Sequence, residues 1–578
     1  MKVQFKYGGQ SAVVGGLTEA RLALATNTLR EAAFFKGTLG RPSILREPLA
    51  ALYDVVTSDY KYRPRDRVAF KLWLEEQDRR FLAGLALKSV EAKVEIEALV
   101  ARLGELRRAR AARLAPFHKA RHAFFEYLYE NEYELEYLLD PVITIHPDEL
   151  SFEVFSRDES SYGRLAAKYD LFSSIDAFEC GTTNVDFSGR LHAQLSRMRS
   201  YRRTRLDVDP SGFTVGHAGP GDDAAHAIVR EKKIELPESW LQGFLQVHST
   251  MTLGLTRLRL APIDLYNICR FLRRRRAHAS PRALRWELAP GQPAKVVFEP
   301  WEHAMVLSPC SVYEAVGAKP QKIRTWGRDR LLVLARVLPL ARSVDVYLAG
   351  HGLPTIWVVD MGEATFTLAL SGWTDNDWTG GARFSLLGRR LEVSADELAA
   401  CYHALREVRY GTPEQIAEKT GLGVEKTRSA LSSLCQVGRG MFDLGAGAGA
   451  GGGGGVKVFR HRDLFFEPFS AKHALSMIQA AESESDPQAV AAKAIFGSGN
   501  VKIIARRPVT TGYKLSGSAK GGDGNRVRPL VSVDHEGQIV EASCTCAFFR
   551  NHKLTKGPCE HILALRLAHM ARLEAEDS

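Results

Sequence analysis

Residues 538–563 read QIVEASCTCAFFRNHKLTKGPCEHIL, and this stretch decides the C-terminal fold of the 578-residue chain. It holds three of the chain's eight cysteines, Cys544, Cys546 and Cys559, and His561 follows the last of them by two positions. The other five cysteines are scattered singly along the chain. Clustering of this kind predicts that the four side chains act together.

The pattern C-x-C, twelve residues, C-x-H is suited to a tetrahedral zinc ion. Three thiolates and one imidazole are typical of structural zinc sites, in which four protein ligands leave no position for a substrate. Alternate residues of an extended strand share a face, so a strand that ends just before Cys544 can direct Cys544 and Cys546 to one point. Pro558 predicts that a helix begins near Cys559, where free N–H groups favour a thiolate, and His561 falls in its first turn.

Two alternatives to this ligand set stay open at this point. His552 lies inside the gap between the second and third cysteines and competes with His561 as the fourth ligand. The three cysteines are also compatible with buried thiols that hold no metal, since free cysteine is among the most buried residue types.

The ligand pattern, a predicted hairpin over Val527–Val533 and Gln538–Ala542, and the apolar Ile562 after the last ligand together resemble the SWIM-type zinc finger. The resemblance covers only about residues 530–572. It implies that Cys544, Cys546, Cys559 and His561 hold Zn²⁺ between a β-hairpin and a helix.

SWIM modules occur in transposases, chromatin-remodelling helicases, ubiquitin ligases and bacterial proteins, where they are regarded as modules for DNA binding or protein interaction. The chain is similar to standalone bacterial members, some of which accompany MoxR-type ATPases in suspected regulatory or defence operons. The resemblance thus implies a DNA partner or a protein partner such as a MoxR-type ATPase.

The charge of the chain favours an anionic partner. Its formal net charge is +11, and residues 490–572 alone hold 13 basic and 5 acidic residues. Such an excess is expected of a protein that contacts the phosphates of nucleic acid, with DNA favoured. An alternative is that the charge serves only to keep the protein soluble. The residues predicted to contact phosphates are Arg506, Arg507, Arg526, Arg528, Lys553 and Lys556.

Residues 391–470 resemble a winged helix-turn-helix domain. The pattern predicts helices over 395–407, 413–420 and 424–436, followed by wing strands over 441–444 and 456–460, with a Gly-rich insert at 445–455. The charges of residues 413–436 sum to zero, which leaves a protein contact open. The wing is the better candidate for DNA contact because it carries Arg439, Lys457, Arg460 and Arg462.

The rest of the chain predicts a multidomain α+β protein. Its predicted parts are a mixed region over 1–88, a long charged helical segment over 89–140, and a mixed central region over 141–390. These precede the winged helix over 391–470 and the basic zinc finger module over 490–572. Strand-like runs in the central region are 331–338, 343–348 and 355–359.

Seven arginines between Arg270 and Arg285 predict a patch in the same central region. Phosphate contact and a solvated helix end, where arginine suits the C-terminal dipole, are equally compatible with this run.

Catalytic motifs are missing from the sequence, which favours a non-enzymatic protein. It contains no G-x-x-x-x-G-K-[ST] phosphate loop, no H-E-x-x-H and no G-x-S-x-G. An active site assembled from distant positions within 141–390 stays an alternative. No apolar run is long enough for a membrane helix and no signal peptide is recognised, so we expect a cytoplasmic protein with reduced thiols and no membrane partner.

Overall fold

The computed structural model describes most of the chain outside residues 59–140. The described residues are 3–5, 11–15, 19–26, 33–58, 105, 141–185, 189–195, 198–201, 203–209, 234–236, 238–253, 255–277, 282–314, 320–350, 353–372, 378, 391–445, 458–464, 468–483, 487–509, 512–520, 525–534, 539–554 and 557–577. The predicted charged helical segment over 89–140 therefore lies outside the described residues except for Glu105. The same holds for the Gly-rich insert beyond Gly445, for Lys457 and for Lys556.

Helices and strands mix along the whole described chain, as expected of an α+β protein. The first part holds β1 (Val3–Phe5), β2 (Ala12–Gly15), β3 (Glu19–Ala25), β4 (Phe34–Leu39) and α1 (Pro42–Thr57). Next come β5 (Val142–Ile145), β6 (Glu149–Phe155), β7 (Ser161–Lys168), β8 (Phe172–Glu179), β9 (Gly181–Asn184), α2 (Gly189–Leu195) and β10 (Arg203–Asp209).

The second half of the central region is richer in strands than in helices. It holds β11 (Ile234–Leu236), α3 (Glu238–Met251), β12 (Thr256–Leu260), α4 (Pro262–Arg274), β13 (Leu284–Leu288), β14 (Lys295–Phe298), β15 (His303–Val306), β16 (Gln321–Thr325), β17 (Ser343–Leu348), β18 (Thr355–Asp360) and β19 (Ala364–Leu370). Three 3₁₀ segments cover Tyr169–Leu171, Arg328–Arg336 and Leu338–Leu340.

The C-terminal part alternates between helical and strand-rich segments. It holds α5 (Ala395–Val408), β20 (Tyr410–Gly411), α6 (Pro413–Thr420), α7 (Val424–Gln436), β21 (Gly440–Asp443), β22 (Val458–His461), α8 (Ala471–Ser483) and α9 (Pro487–Gly497). It ends with β23 (Val501–Val509), β24 (Gly512–Lys520), β25 (Arg526–Val527), β26 (Leu530–Asp534), β27 (Ile539–Ser543), α10 (Ala547–His552) and α11 (Glu560–Asp577).

The largest sheet among the described residues has eight antiparallel strands, in the order β12-β17-β18-β19-β7-β6-β5-β9. Every residue of β18 and β19 is buried, which is expected of strands covered on both faces. Helix α1 packs on β6 and β7, and Phe244 of α3 packs against Phe155 and Tyr162. This sheet therefore provides a fixed surface on which later segments can dock.

One predicted strand of the central region is wrong. Leu331–Leu338 does not pair with a neighbour, because residues 328–336 form a 3₁₀ segment that follows Gly327 in the left-handed region (φ 79°). A short apolar run has no periodicity that separates strand from helix, and the four leucines of this run favour a helix. The strands predicted over 343–348 and 355–359 are confirmed as β17 and β18.

The helices of 391–436 begin where their capping residues predict. Ser394 Oγ accepts a hydrogen bond from Glu397 N at 3.2 Å, and the Glu397 carboxylate accepts one from Ser394 N at 2.9 Å. Thr412 and Gln415 repeat this capping box at the start of α6. Helices α5, α6 and α7 pack on one another, and α7 also contacts α3 and β21.

The last 90 residues form a sheet in the order β23-β24-β26-β27, with β25 paired to β24 and α11 packed across one face. The helix approaches closest at Gly517, where an added Cβ would lie 2.5 Å from Leu565 Cδ1 and 2.9 Å from the Lys502 carbonyl oxygen. Helix α9 packs along α11. The module therefore includes two strands and one helix that precede the predicted hairpin.

Candidate metal centre and basic surfaces

The four predicted ligands meet at one end of this sheet. Cys544 directly follows β27, Cys546 precedes α10, Cys559 precedes α11, and His561 lies in the first turn of α11. Their ligand atoms all lie within 4.8 Å of one another, and all four residues are at most 8% exposed. A tetrahedral zinc ion with bonds of about 2.3 Å to sulfur needs its ligand atoms about 3.8 Å apart. The cluster therefore has the dimensions of a metal site.

Local hydrogen bonds hold the segments that carry these ligands. Cys546 is the N-cap of α10, and its Sγ accepts a hydrogen bond from Phe549 N at 3.4 Å. Gln488 of α9 accepts one from Glu560 N at 3.1 Å, at the start of α11. Leu563 N donates to the carbonyl oxygen of Cys559 at 3.1 Å, which completes the first turn of α11. The centre is thus positioned by α9 as well as by the hairpin.

The electrostatics of the cluster favour at least one thiolate. A hydrogen bond from Cys559 lowers the pKa of Cys544 to about 4, and the same bond raises the pKa of Cys559. The Glu560 carboxylate lies 3.3 Å from His561 Nδ1, which resembles the carboxylate–histidine arrangement common beside metal ligands. Three thiol sulfurs and an imidazole without a carboxylate ligand form a donor set that fits a soft divalent ion such as zinc.

His552, the competing ligand, lies outside this cluster. Its ring contacts the Phe548 ring with centroids 5.0 Å apart, at the end of α10. The metal-binding group found among the described residues contains His561 instead.

The predicted phosphate contacts fall into three places. Arg507 and Arg526 are exposed on the sheet, whereas the Arg506 guanidinium lies 4.3 Å from the centroid of the Tyr513 ring. Arg528 and Lys553 are exposed near the ligand loops: Arg528 N donates to Thr545 Oγ1 at 3.0 Å, and Lys553 Nζ lies 5.6 Å from the Phe549 ring. Lys556 lies outside the described residues.

The arginines of the wing strands, which we define as β21 and β22, do not lie on an open surface. Arg460 is 2% exposed and pairs with Asp148 at 2.8 Å and Asp443 at 2.8 Å. Arg439 is buried and pairs with Asp463 at 2.7 Å. The expectation that the wing offers these cations to DNA is therefore wrong for this structure.

Arg462 of the same segment is fully buried against the central sheet. Its Nη1 donates to both oxygens of Glu153, at 2.7 and 2.8 Å, and its guanidinium carbon lies 4.8 Å from the Phe244 ring centroid. Tyr162 donates to the same carboxylate at 2.6 Å, and His248 Nε2 lies 3.3 Å from it. This acid–base cluster is closed to solvent, so it joins two segments rather than meeting a substrate.

Sequence reasoning did not find this docking surface. Arg460 and Asp148 are 312 residues apart, and Arg462 and Glu153 are 309 residues apart. Charge counted along one segment contains no signal for a partner at such a separation. The burial pattern of β6 does not reveal the docking surface either. All residues of this strand are buried, so Glu149 and Glu153 do not stand out from their neighbours.

The arginine run at Arg270–Arg285 divides into two parts. Arg273 and Arg274 lie in the last turn of α4, where the helix dipole favours cations. Arg285 lies in β13 and pairs with Glu299 at 2.8 Å and Glu302 at 2.6 Å. The helix-end interpretation therefore accounts for α4, and phosphate contact by its exposed arginines stays a prediction.

Comparison with known proteins supports the C-terminal assignment. Residues 530–569 match the protein family described as SWIM zinc finger, which confirms the resemblance seen in the sequence. No curated protein matches the chain.

Among solved structures, proliferating cellular nuclear antigen from Entamoeba histolytica matches at 10% identity and a TM-score of 0.33. The match covers 58% of this chain and 98% of that one. A similarity this low assigns neither a fold nor a function. No helix among the described residues is both long enough and apolar enough to cross a membrane.

Proposed function

We propose that this chain is a zinc-binding protein that binds nucleic acid through its basic C-terminal module, with DNA as the favoured nucleic acid. The observation that carries the proposal is a buried four-ligand centre that fixes a sheet with exposed cations. Of 18 charged residues within 490–572, 13 are basic. Phosphate contact is the simplest use of such an excess.

Zinc is the metal that the centre fits best. Cys544, Cys546, Cys559 and His561 would hold it, and all four positions of a tetrahedral ion would then be filled by protein. Such a site is structural, and its role is to hold the hairpin, α10 and α11 together. We expect no catalysis at the metal.

A winged helix built from α5, α6, α7 and the wing strands is the second part of the proposal, and here the structure favours a protein contact. Exposed charges on these helices pair with one another: Lys419 with Glu407 at 2.8 Å and Lys426 with Glu397 at 2.7 Å. Among the described wing cations, Arg460 and Arg462 are buried against the central sheet, and Arg439 is buried beside Asp463. A neutral outer surface suits a protein partner, such as a MoxR-type ATPase, better than phosphates. The second candidate function is therefore an adaptor.

The test compares metal content and nucleic-acid affinity in the wild type and in a Cys544→Ser/Cys559→Ser double variant. We expect one zinc per wild-type chain, none in the double variant, and a steep salt-dependent affinity that is lost with the metal. Cys310→Ser removes an exposed cysteine outside the centre and is the matched control. Amide exchange should show that protection is lost over β23–β27 and kept over the wing strands.

One zinc per chain without binding to duplex DNA, single-stranded DNA or RNA would contradict the nucleic-acid proposal. Co-purification with a protein partner that resists high salt would then support the adaptor.

A further inference from the structure

We propose that nucleic acid binds the sheet face of the C-terminal module that is turned away from α11, through two pairs of cations about 20 Å apart. This outer face is defined by Lys502, Arg507, Lys514, Lys520 and Arg526. The inference rests on the proposed nucleic-acid binding and adds which surface of the module meets the phosphates.

Burial along β24 identifies the two faces. Leu515, Gly517 and Ala519 are buried, and Gly517 lies against Leu565 of α11. Lys514 and Lys520 are exposed at the alternate positions, so they lie on the opposite face. The helix that carries His561 therefore covers one side of the sheet and leaves the cations on the other.

The strand register places these cations directly opposite one another. Arg507 of β23 faces Lys514 of β24, and Lys520 of β24 faces Arg526 of β25. Like charges in directly opposed positions destabilise a sheet. None of the four makes an ion pair with any described residue, and Glu541 is the only carboxylate among the described side chains of this face. A bound polyanion would remove the repulsion within both pairs.

The two pairs lie far enough apart to bind separate phosphates. Lys514 and Lys520 are six residues apart on one strand, which corresponds to about 20 Å at about 3.3 Å per residue. A nucleic-acid strand advances about 3.4 Å per phosphate along a duplex, so about six steps separate the phosphates that both pairs can reach. Ser516 and Ser518, both half-buried, lie between the pairs on the same face.

The other predicted contacts do not belong to this face. Arg506 faces the buried Leu515 in the register, and its guanidinium lies over Tyr513, whose ring contacts His569 of α11. Arg528 and Lys553 lie beside the ligand loops. Lys493 of α9 and Arg550 of α10 are exposed, lie outside the sheet and are not among the predicted phosphate contacts, so they provide a control of matched charge on the same module.

The experiment measures the affinity of the full zinc-loaded chain for a 12-base-pair DNA duplex and for a 4-base-pair duplex held together by a short hairpin loop, across a salt series. Three double variants are compared with the wild type: Arg507→Gln/Lys514→Gln, Lys520→Gln/Arg526→Gln, and the control Lys493→Gln/Arg550→Gln. All six side chains are exposed, so each variant should keep its zinc and its fold. Zinc content and melting temperature check this directly.

On the 12-base-pair duplex, each outer-face variant should reduce the slope of log K against log salt by about 1.8. When salt is raised from 50 to 200 mM, the factor by which the variant loses affinity should then be roughly ten times smaller than the factor for the wild type. On the 4-base-pair duplex, either pair can bind alone, so each variant should lose only about half of the affinity. The control variant should keep the salt slope and the affinity of the wild type on both duplexes.

Two results would contradict the proposals, and they differ. If the control variant loses the slope while both outer-face variants keep it, nucleic acid binds the helices of the module and the inference about the face is wrong. If the wild type binds neither duplex at any salt concentration, nor single-stranded DNA or RNA of the same length, the proposed function itself is wrong.

Discussion

Two antiparallel strand pairs in this chain carry basic residues in their strands or directly beside them, and they differ in what surrounds the charges. In the wing strands, Arg460 is buried among Asp148, Glu149 and Asp443. In β23 and β24, Arg507 and Lys514 are exposed and face each other without a carboxylate partner among the described residues.

The difference teaches that basic residues in a strand pair do not by themselves identify a phosphate-binding surface. A guanidinium that is already paired and desolvated has no capacity for phosphate, whereas an exposed pair of like charges gains from any anion. Sequence composition makes the two strand pairs look equivalent. Burial separates the paired arginines of the wing from the exposed cations of the module.

Arg462→Ala should have the largest effect on stability. It leaves the Glu153 carboxylate buried without its cation, and breaking a buried pair in this way costs about 3–5 kcal/mol. Denaturant unfolding should show a decrease of that size, and amide exchange should show loss of protection at Val458–His461. The comparison would break if Arg462→Ala unfolded as the wild type does, because the wing would then not depend on the central sheet.

Acidification should act on the wing strands through His461, with a smaller effect. Burial lowers the pKa of His461 to about 4, from about 6.5 in the unfolded chain. Between these values the unfolded state binds a proton that the folded state does not. The free energy of unfolding should therefore fall by about 2 kcal/mol between pH 7 and pH 5 on account of this residue.

His461→Gln removes this titration and serves as the control for acidification. Burial also lowers the pKa of His146 and His248, so the variant should keep part of the pH dependence. Denaturant unfolding of wild type and variant at both pH values gives the difference. Equal pH dependence in the two proteins would show that folding does not lower the pKa of His461.

Arg507→Ala should have the smallest effect on stability, and its sign should be opposite. Removing one of two like charges that face each other stabilises the sheet, by about 0.2–0.5 kcal/mol in the absence of nucleic acid. Thermal unfolding at low salt should detect the gain, and the gain should shrink as salt screens the repulsion. A loss above 1 kcal/mol would instead show that Arg507 has a structural partner, as Arg462 does.

The metal centre could be predicted from the sequence because all its information is local. The ligands lie within 18 residues, and their spacing reflects a strand end and a helix start that the sequence also indicates. The structure brings Cys544, Cys546, Cys559 and His561 together as expected. The start of the helix over 413–420 was predictable for the same reason, since the Thr412 cap acts on its own turn.

The burial of Arg460 and Arg462 on the central sheet could not be predicted, because Asp148 and Glu153, which pair with them, lie in β6 and the turn before it, about 300 residues earlier. The same limit applies to the outer face, where the register of β23 and β24 decides which cations oppose each other. A bulge between Ile503 and Ala505 shifts that register by one residue, which changes the face on which the later residues of β23 lie.

The docked wing also has an evolutionary consequence. A chain that replaces Arg462 alone retains the buried Glu153 carboxylate, and a chain that replaces Glu153 alone retains the buried guanidinium. Either intermediate is less stable than both the starting pair and a neutral pair of similar volume. Related sequences should therefore change Glu153 and Arg462 together, whereas Arg507 should vary independently of any acidic position.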